Sequence, residues 1–262
     1  MSQSKVALRS PLKDKPLRNP GQSLDKTLFD VREKYLDNLV ILIITGSIFL
    51  AAVVQWLLKI PPLAMVYVAA FYFAAALILC VPRMLKKIPE LKRLRQARDG
   101  ERAVAECLDL LKKEGHNVFH DVVGADFNVD HVVVGPKGVF TVETKTLNKR
   151  AGQHTKLYFD GESVRVGDAE LPDNPVVQAR VQAEWFKKTL FDSTSRIFAV
   201  KPVVVFPGWF VECTSKAKRN DTWVLEPKAL RGFLKYEPDR MTPEDVSLVS
   251  FHLKRYIRAS NS

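Results

Sequence analysis

Asn128-Val-Asp-His-Val-Val-Val-Gly-Pro-Lys-Gly-Val-Phe-Thr-Val-Glu-Thr-Lys145 reads as strand, turn, strand. Gly135-Pro136-Lys137-Gly138 suits a four-residue reverse turn, with proline second and glycine fourth. If Gly135 pairs with Gly138 across that turn, the register puts Asp130 directly opposite Glu143 on one face of the sheet. Side chains alternate along a strand, so Lys145 joins Glu143 while Thr144 and His131 point the other way. His131 is therefore expected in the core rather than among ligands.

Two carboxylates facing each other across a hairpin repel. A divalent cation between Asp130 and Glu143 is the simplest compensation, and oxygen ligands favour Mg2+ or Mn2+ over zinc. Lys145, one pleat along, could neutralise a hydroxide or a phosphate. The plain alternative is a surface ion pair between Glu143 and Lys145, with Asp130 in solvent. The strongly apolar strands around these residues count against it.

Outward from this hairpin the chain from 99 to 262 reads as a mixed α/β domain. Asp99 is expected to cap a helix with Val104, Cys107, Leu108 and Leu111 on one face, and Gly115 to stop it. Further strands are expected at 117–122, 156–159, 163–166, 200–206 and 222–225, the fourth of these apolar enough to lie inside a sheet. Asn174-Pro175 opens a helix running to about Leu190, and Thr242-Pro243-Glu244-Asp245 opens a last one with Val246, Val249, Leu253 and Tyr256 inward.

Ahead of this domain, Leu39–Leu58 and Leu63–Val81 are two uncharged runs, each about the ~20 residues that cross ~30 Å of hydrocarbon. Lys59-Ile60-Pro61-Pro62 joins them tightly, so the expected element is a transmembrane α-hairpin over 39–81 (39–58 and 63–81). Residues 1–38 read as a basic flexible arm and 82–98 as a basic juxtamembrane linker. Arg32 and Lys34 on one side and Arg83, Lys86, Lys87, Lys92, Arg93, Arg95 and Arg98 on the other outweigh the single Lys59 of the turn. Both termini are then expected in the cytoplasm, with the chain a multi-pass protein of the inner membrane. The same cations could rest on anionic headgroups.

The 262 residues carry a formal charge of +11, which points to an acidic partner, nucleic acid or a membrane surface. The three cysteines, Cys80, Cys107 and Cys213, form no CxxC pair, which excludes a zinc finger or a disulfide framework and suits a reducing compartment. His116, His120, His154 and His252 have no ligand spacing.

VDHVVVGPKGVFTVETK, with Gly100-Glu101-Arg102 before it, Val118–Val122 and Asn174-Pro175-Val176-Val177-Gln178, resembles the nuclease-related domain (NERD) family over roughly Asp99–Phe206. The resemblance implies the PD-(D/E)xK nuclease superfamily and a restriction-endonuclease-like mixed sheet flanked by helices. It implies that Asp130 and Glu143 bind the metal and that Lys145 assists the nucleophile. Glu101 would be an accessory acid, and Gln178 would orient a ligand or the attacking water. The expected activity is metal-assisted hydrolysis of a phosphodiester, with DNA the expected substrate. Lys149, Arg150, Lys216, Lys218 and Arg219 are the candidates for contact with the nucleic-acid backbone. A non-catalytic nucleic-acid-binding or scaffolding module at the membrane is the main rival; an adaptor whose charge serves lipid and a partner subunit is the third reading.

Overall fold

The computed structural model describes residues 16–59, 63–124, 126–149, 156–171 and 173–260. The basic arm up to Lys15, the Ile60-Pro61-Pro62 turn and His154 lie outside them. Two compact units result, one of Ser23–Asp99 and the other of Gly100–Ser262 with the described residues up to Gln22.

The first unit holds two long helices. α1 (Gln22–Leu57) begins well inside the segment expected as an arm. Asn19, Pro20 and Gly21 form its lead-in turn, where the Asn19 N–H donates to the Gln22 side-chain oxygen at 3.0 Å. α2 (Leu63–Lys112) is continuous and passes through Pro82 and Pro89, so residues 82–98 are helical and Asp99 lies inside the helix rather than capping one. A proline removes one intrahelical bond, whereas the Lys-, Arg-, Leu- and Glu-rich run around Pro89 is made of good helix formers. Asp99 is engaged instead by the Arg98 guanidinium at 2.7 Å. The helix does stop at Gly115, whose φ of +83° is a left-handed conformation natural to glycine. Both helices are long and apolar enough to cross a membrane. Their apolar side chains are largely exposed, as at Ile43, Leu50, Phe71 and Ile78.

The second unit is α/β, with two mixed sheets flanked by helices, and its main sheet is the kind the resemblance implies. β1 (Asn117–Val123), β2 (Asn128–Gly135) and β3 (Gly138–Thr144) form an antiparallel meander. β7 (Val200–Val205) and β9 (Trp223–Leu225) add to it in parallel, giving the order β1-β2-β3-β7-β9. A smaller sheet, in the order β6-β5-β4-β8, uses β4 (Lys156–Phe159), β5 (Val164–Val166), β6 (Ala169–Glu170) and β8 (Phe210–Cys213).

α3 (Pro175–Thr194) and α5 (Pro243–Ser260) cover one face of the main sheet, with Val132, Val134, Val139, Phe186, Val249 and Leu253 in one cluster. The end of α2 and the short α4 (Leu230–Tyr236) cover the other, with Leu108, Val133, Phe140, Val142 and Leu230. α3 opens as its sequence demands: the Asn174 side chain accepts from the Val176 N–H at 3.0 Å, and Pro175 occupies the first helical position. α5 begins with a reciprocal pair in which the Thr242 hydroxyl accepts from the Asp245 N–H and Asp245 accepts from the Thr242 N–H, each at 3.2 Å.

A candidate acidic site at the end of the main sheet

Gly135 pairs with Gly138 and the ladder runs to His131 opposite Val142, so the next positions in register are Asp130 and Glu143. The strands part there. Asp130 reaches across instead, its carboxylate accepting from the Thr144 N–H at 2.7 Å. On the other side, the Lys145 N–H donates to the Val205 carbonyl at 2.9 Å, which holds the lysine at the end of β3.

Glu143 is 3% exposed and both its oxygens are engaged. The Lys145 ammonium sits 2.8 Å from one, and the Gln182 amide donates to the other at 2.6 Å. The Lys145 ammonium also donates to the Gln178 side-chain oxygen at 2.8 Å. Gln178 and Gln182 lie four apart on α3, so one helical face delivers both amides to the carboxylate and lysine. Glu143 and Lys145 do form an ion pair, with the carboxylate buried and the ammonium half-buried, not the surface pair of the plain alternative.

Charge is concentrated here. Burial, then the carboxylates of Glu143 and Glu101, hold the Asp130 carboxyl well above its ordinary range; the Thr144 N–H and the Lys145 ammonium act in the opposite direction. Glu101, 8% exposed on α2, therefore belongs to the same electrostatic neighbourhood.

Gln182 is the residue the sequence reading passed over. Its spacing from Gln178 was the available signal. Its amide nitrogen donates both to Glu143 and, at 3.1 Å, to the Asn128 carbonyl, and two acceptors fix the orientation of the group. That leaves the Gln182 side-chain oxygen buried without a donor among the described residues, and the Thr144 hydroxyl likewise. A buried acceptor beside two carboxylates fits a hydrated, oxygen-ligated cation. Among the described residues no three His, Cys, Asp or Glu side chains gather as a metal-binding group.

A second network adjoins the first. Asp121 falls opposite Asp130 in the β1–β2 register, between the His120–His131 and Val122–Val129 pairs, with a φ of +50°. Arg18 grips its carboxylate through Nε at 2.9 Å and Nη2 at 2.6 Å, and the Asn128 amide donates to its other oxygen at 3.2 Å. The chain just ahead of α1 is thus fastened to the paired β1 and β2.

His131 is in the core as expected, fully buried, and its Nδ1 lies 2.9 Å from Nδ1 of His120. Of the proposed basic contacts, Lys149 lies over the Trp209 ring, 5.1 Å from its centroid. Trp209 in turn donates to the Leu147 carbonyl at 3.2 Å, which ties Lys149 to the segment leaving β3. Lys216 and Lys218 are exposed around a short 3-10 turn, Ala217–Arg219, next to the smaller sheet. Arg150 and the side chain of Arg219 lie outside what is described. The cysteines are free, Cys80 buried and the others partly so.

Fold and cluster together define a class: an α/β domain in which a carboxylate pair, a lysine and two glutamines meet where a mixed sheet opens. Residues 96–207 match the family model described as Nuclease-related domain, NERD, a stretch that begins within α2 and ends after β7. Among solved structures, the chain is similar to that of Pyrococcus furiosus SfsA in complex with Ca2+. The identity is 18% and the TM-score 0.26, over 51% of this chain and 55% of that one, so the match spans about half of either length. No curated protein matches the chain.

Proposed function

We propose that this chain is a membrane-anchored, metal-dependent nuclease that hydrolyses phosphodiester bonds of nucleic acid, DNA in the first instance, on the cytoplasmic face of the inner membrane. The observation that carries the reading is the meeting of Asp130, Glu143, Lys145 and Gln178 at the end of β3, inside a nuclease-related domain.

Asp130 and Glu143 would hold Mg2+ or Mn2+, which when bound supplies Lewis-acid polarisation of the phosphoryl oxygen and a more acidic water. The Lys145 ammonium offers positive charge where negative charge develops on the phosphate. Gln178 accepts from that ammonium and so aims it. Gln182 holds Glu143 and keeps an acceptor free for water. Glu101 adds negative charge, which strengthens the attraction for a cation.

Anchoring is supported by the two apolar helices and their flanking cations. Arg18 precedes α1, and its partner Asp121 follows α2 within one compact unit, so both flanks of the helical pair belong on one side of a bilayer. The positive flanks make that side the cytoplasm.

A second reading has one observation in its favour: both oxygens of Glu143 already have protein partners. A non-catalytic nucleic-acid-binding or scaffolding module would keep that arrangement. The deciding experiment is cleavage of labelled single- and double-stranded DNA by the full chain in detergent, with Mg2+ or Mn2+ and with chelator, beside Asp130→Asn and Lys145→Met. Metal-dependent cutting that falls at least about 100-fold in both variants supports the nuclease. Binding without cutting, unchanged by either variant, moves the assignment to the non-catalytic module.

A further inference from the structure

Between the two long helices, where their apolar runs end, lies a crevice of about 480 Å3. Lys34 and Asp37 of α1 and Arg83, Lys86, Lys87 and Glu90 of α2 line it, four cations against two anions. The spacing is helical on each side: 34 and 37 share one face of α1, and 83, 86, 87 and 90 share one face of α2. Lys34 and Asp37 fall immediately before the uncharged run that starts at Leu39, and Arg83 immediately after the one that ends at Val81.

The local pairing leaves positive charge over. Lys87 is taken by Glu90 at 2.8 Å, and one nitrogen of Arg83 donates to the Leu79 carbonyl at 3.0 Å. Lys34 and Lys86 have no ion-pair partner among the described residues. Arg83 keeps its charge and its remaining N–H groups, because a backbone carbonyl does not neutralise a guanidinium.

We infer that this crevice is a binding site for the phosphate headgroup of an anionic phospholipid. The inference rests on the membrane-anchored reading. Any phosphate-bearing anion shares the required chemistry; the lipid is the occupant argued for because the cations stand at the level where hydrocarbon would give way to headgroups. Exposed apolar side chains such as Leu85 and Ile78 flank that level and would meet the acyl chains. A nucleic-acid backbone has no such apolar companion.

The test uses the full chain purified in detergent, with phosphatidylglycerol and phosphatidylcholine titrated in and bound lipid counted by native mass spectrometry. Phosphatidylglycerol should bind in a saturable way, at least 10-fold tighter than phosphatidylcholine. The triple variant Lys34→Gln/Arg83→Gln/Lys86→Gln should lower its affinity about 100-fold, at roughly fivefold per cation. Lys92→Gln/Arg93→Gln/Arg95→Gln, which removes equal charge elsewhere on α2, should leave it within about threefold. Equal losses in both triples, or equal binding of the two lipids, overturn the site. Competition by millimolar inorganic phosphate or by a DNA duplex as effective as the lipid overturns the lipid as occupant. Flotation with phosphatidylglycerol vesicles after an alkaline wash separates the two failures. A chain that stays with the bilayer without lipid preference refutes the site alone, whereas one that washes off refutes the membrane anchor as well.

Discussion

Replacing Arg18 with methionine removes a guanidinium held to Asp121 by two N–H groups and keeps most of the aliphatic stem. The Asp121 side chain is 3% exposed and that of Arg18 12%, so the pair is shielded from water on both sides. Breaking a buried pair by deleting one partner removes the charge facing the one that stays, and costs about 3–5 kcal/mol. The Asn128 amide, at 3.2 Å, offsets only part of it. For a unit of this size each kcal/mol moves the thermal midpoint by about 2–4 °C, so the expected drop is about 6–20 °C. The assay is thermal unfolding of the full chain in detergent. Fluorescence of Trp185, Trp209 and Trp223 reports the second unit once Trp56→Phe has silenced the helical one. Arg18→Met/Asp121→Asn should recover most of the loss, because removing both partners leaves no stranded charge and asparagine tolerates the positive φ of position 121. A drop under about 2 °C, or a double variant no better than Arg18→Met, would refute the claim that the segment ahead of α1 is part of the domain's framework. The same reasoning makes a fragment of residues 99–262 a poor stand-in for the protein, since it lacks Arg18.

Three further outcomes follow from the site and its surroundings. Because the Asp130 carboxyl is held above its ordinary range, ionising it opposes folding, and stability is lost as pH rises through the raised value. Asp130→Asn should therefore unfold at a higher temperature than the wild type at pH 8 without metal, an advantage gone below about pH 4, where the carboxyl is protonated folded or unfolded. Added Mg2+ should stabilise the wild type and leave that variant unmoved. Gly100→Ala places a Cβ 2.1 Å from the Thr146 hydroxyl and 3.2 Å from its Cβ, so it should cost about 1–3 kcal/mol, relieved by Thr146→Ala; denaturant titration reads both. Burial, followed by the Lys112 charge, lowers His120 to about 4, and burial followed by the His120 charge holds His131 well below its ordinary range. An unfolded histidine takes its proton near pH 6.5, so stability is complete above that pH and declines toward about pH 4. Urea midpoints across that window should fall for the wild type, and His120→Gln/His131→Gln should flatten the slope.

The hairpin from Asn128 to Lys145 was legible because a four-residue turn fixes register and strand periodicity does the rest. Gly135 opposite Gly138 places Asp130, Glu143 and Lys145 without knowledge of the rest of the chain. α3 and α5 were equally readable from their caps. What escaped depends on contacts distant in sequence. Gln182 is an ordinary polar residue until α3 is laid on β3. Nothing local marks Arg18, whose partner is 103 positions away. The smaller sheet was seen only as a hairpin, because Phe210–Cys213 gains its strand character by pairing in parallel with Lys156–Phe159. The continuity of α2 was obscured by Pro82 and Pro89, which in isolation signal a boundary. Lys216 and Lys218 show the opposite limit: charge can be counted from sequence, but which charges follow a nucleic-acid backbone depends on how the folded surface is arranged.

The Arg18–Asp121 clasp also sets an order of events during synthesis. Arg18 leaves the ribosome before either long helix exists, whereas the strand that receives it is made only after both. The earlier-made segment thus waits to be seated until β1 and β2 have paired and presented Asp121 and Asn128. Until then the carboxylate of Asp121 has no arginine to meet it, so a segment made before both long helices is docked only after both, and whatever precedes Arg18 has to leave that segment free to return.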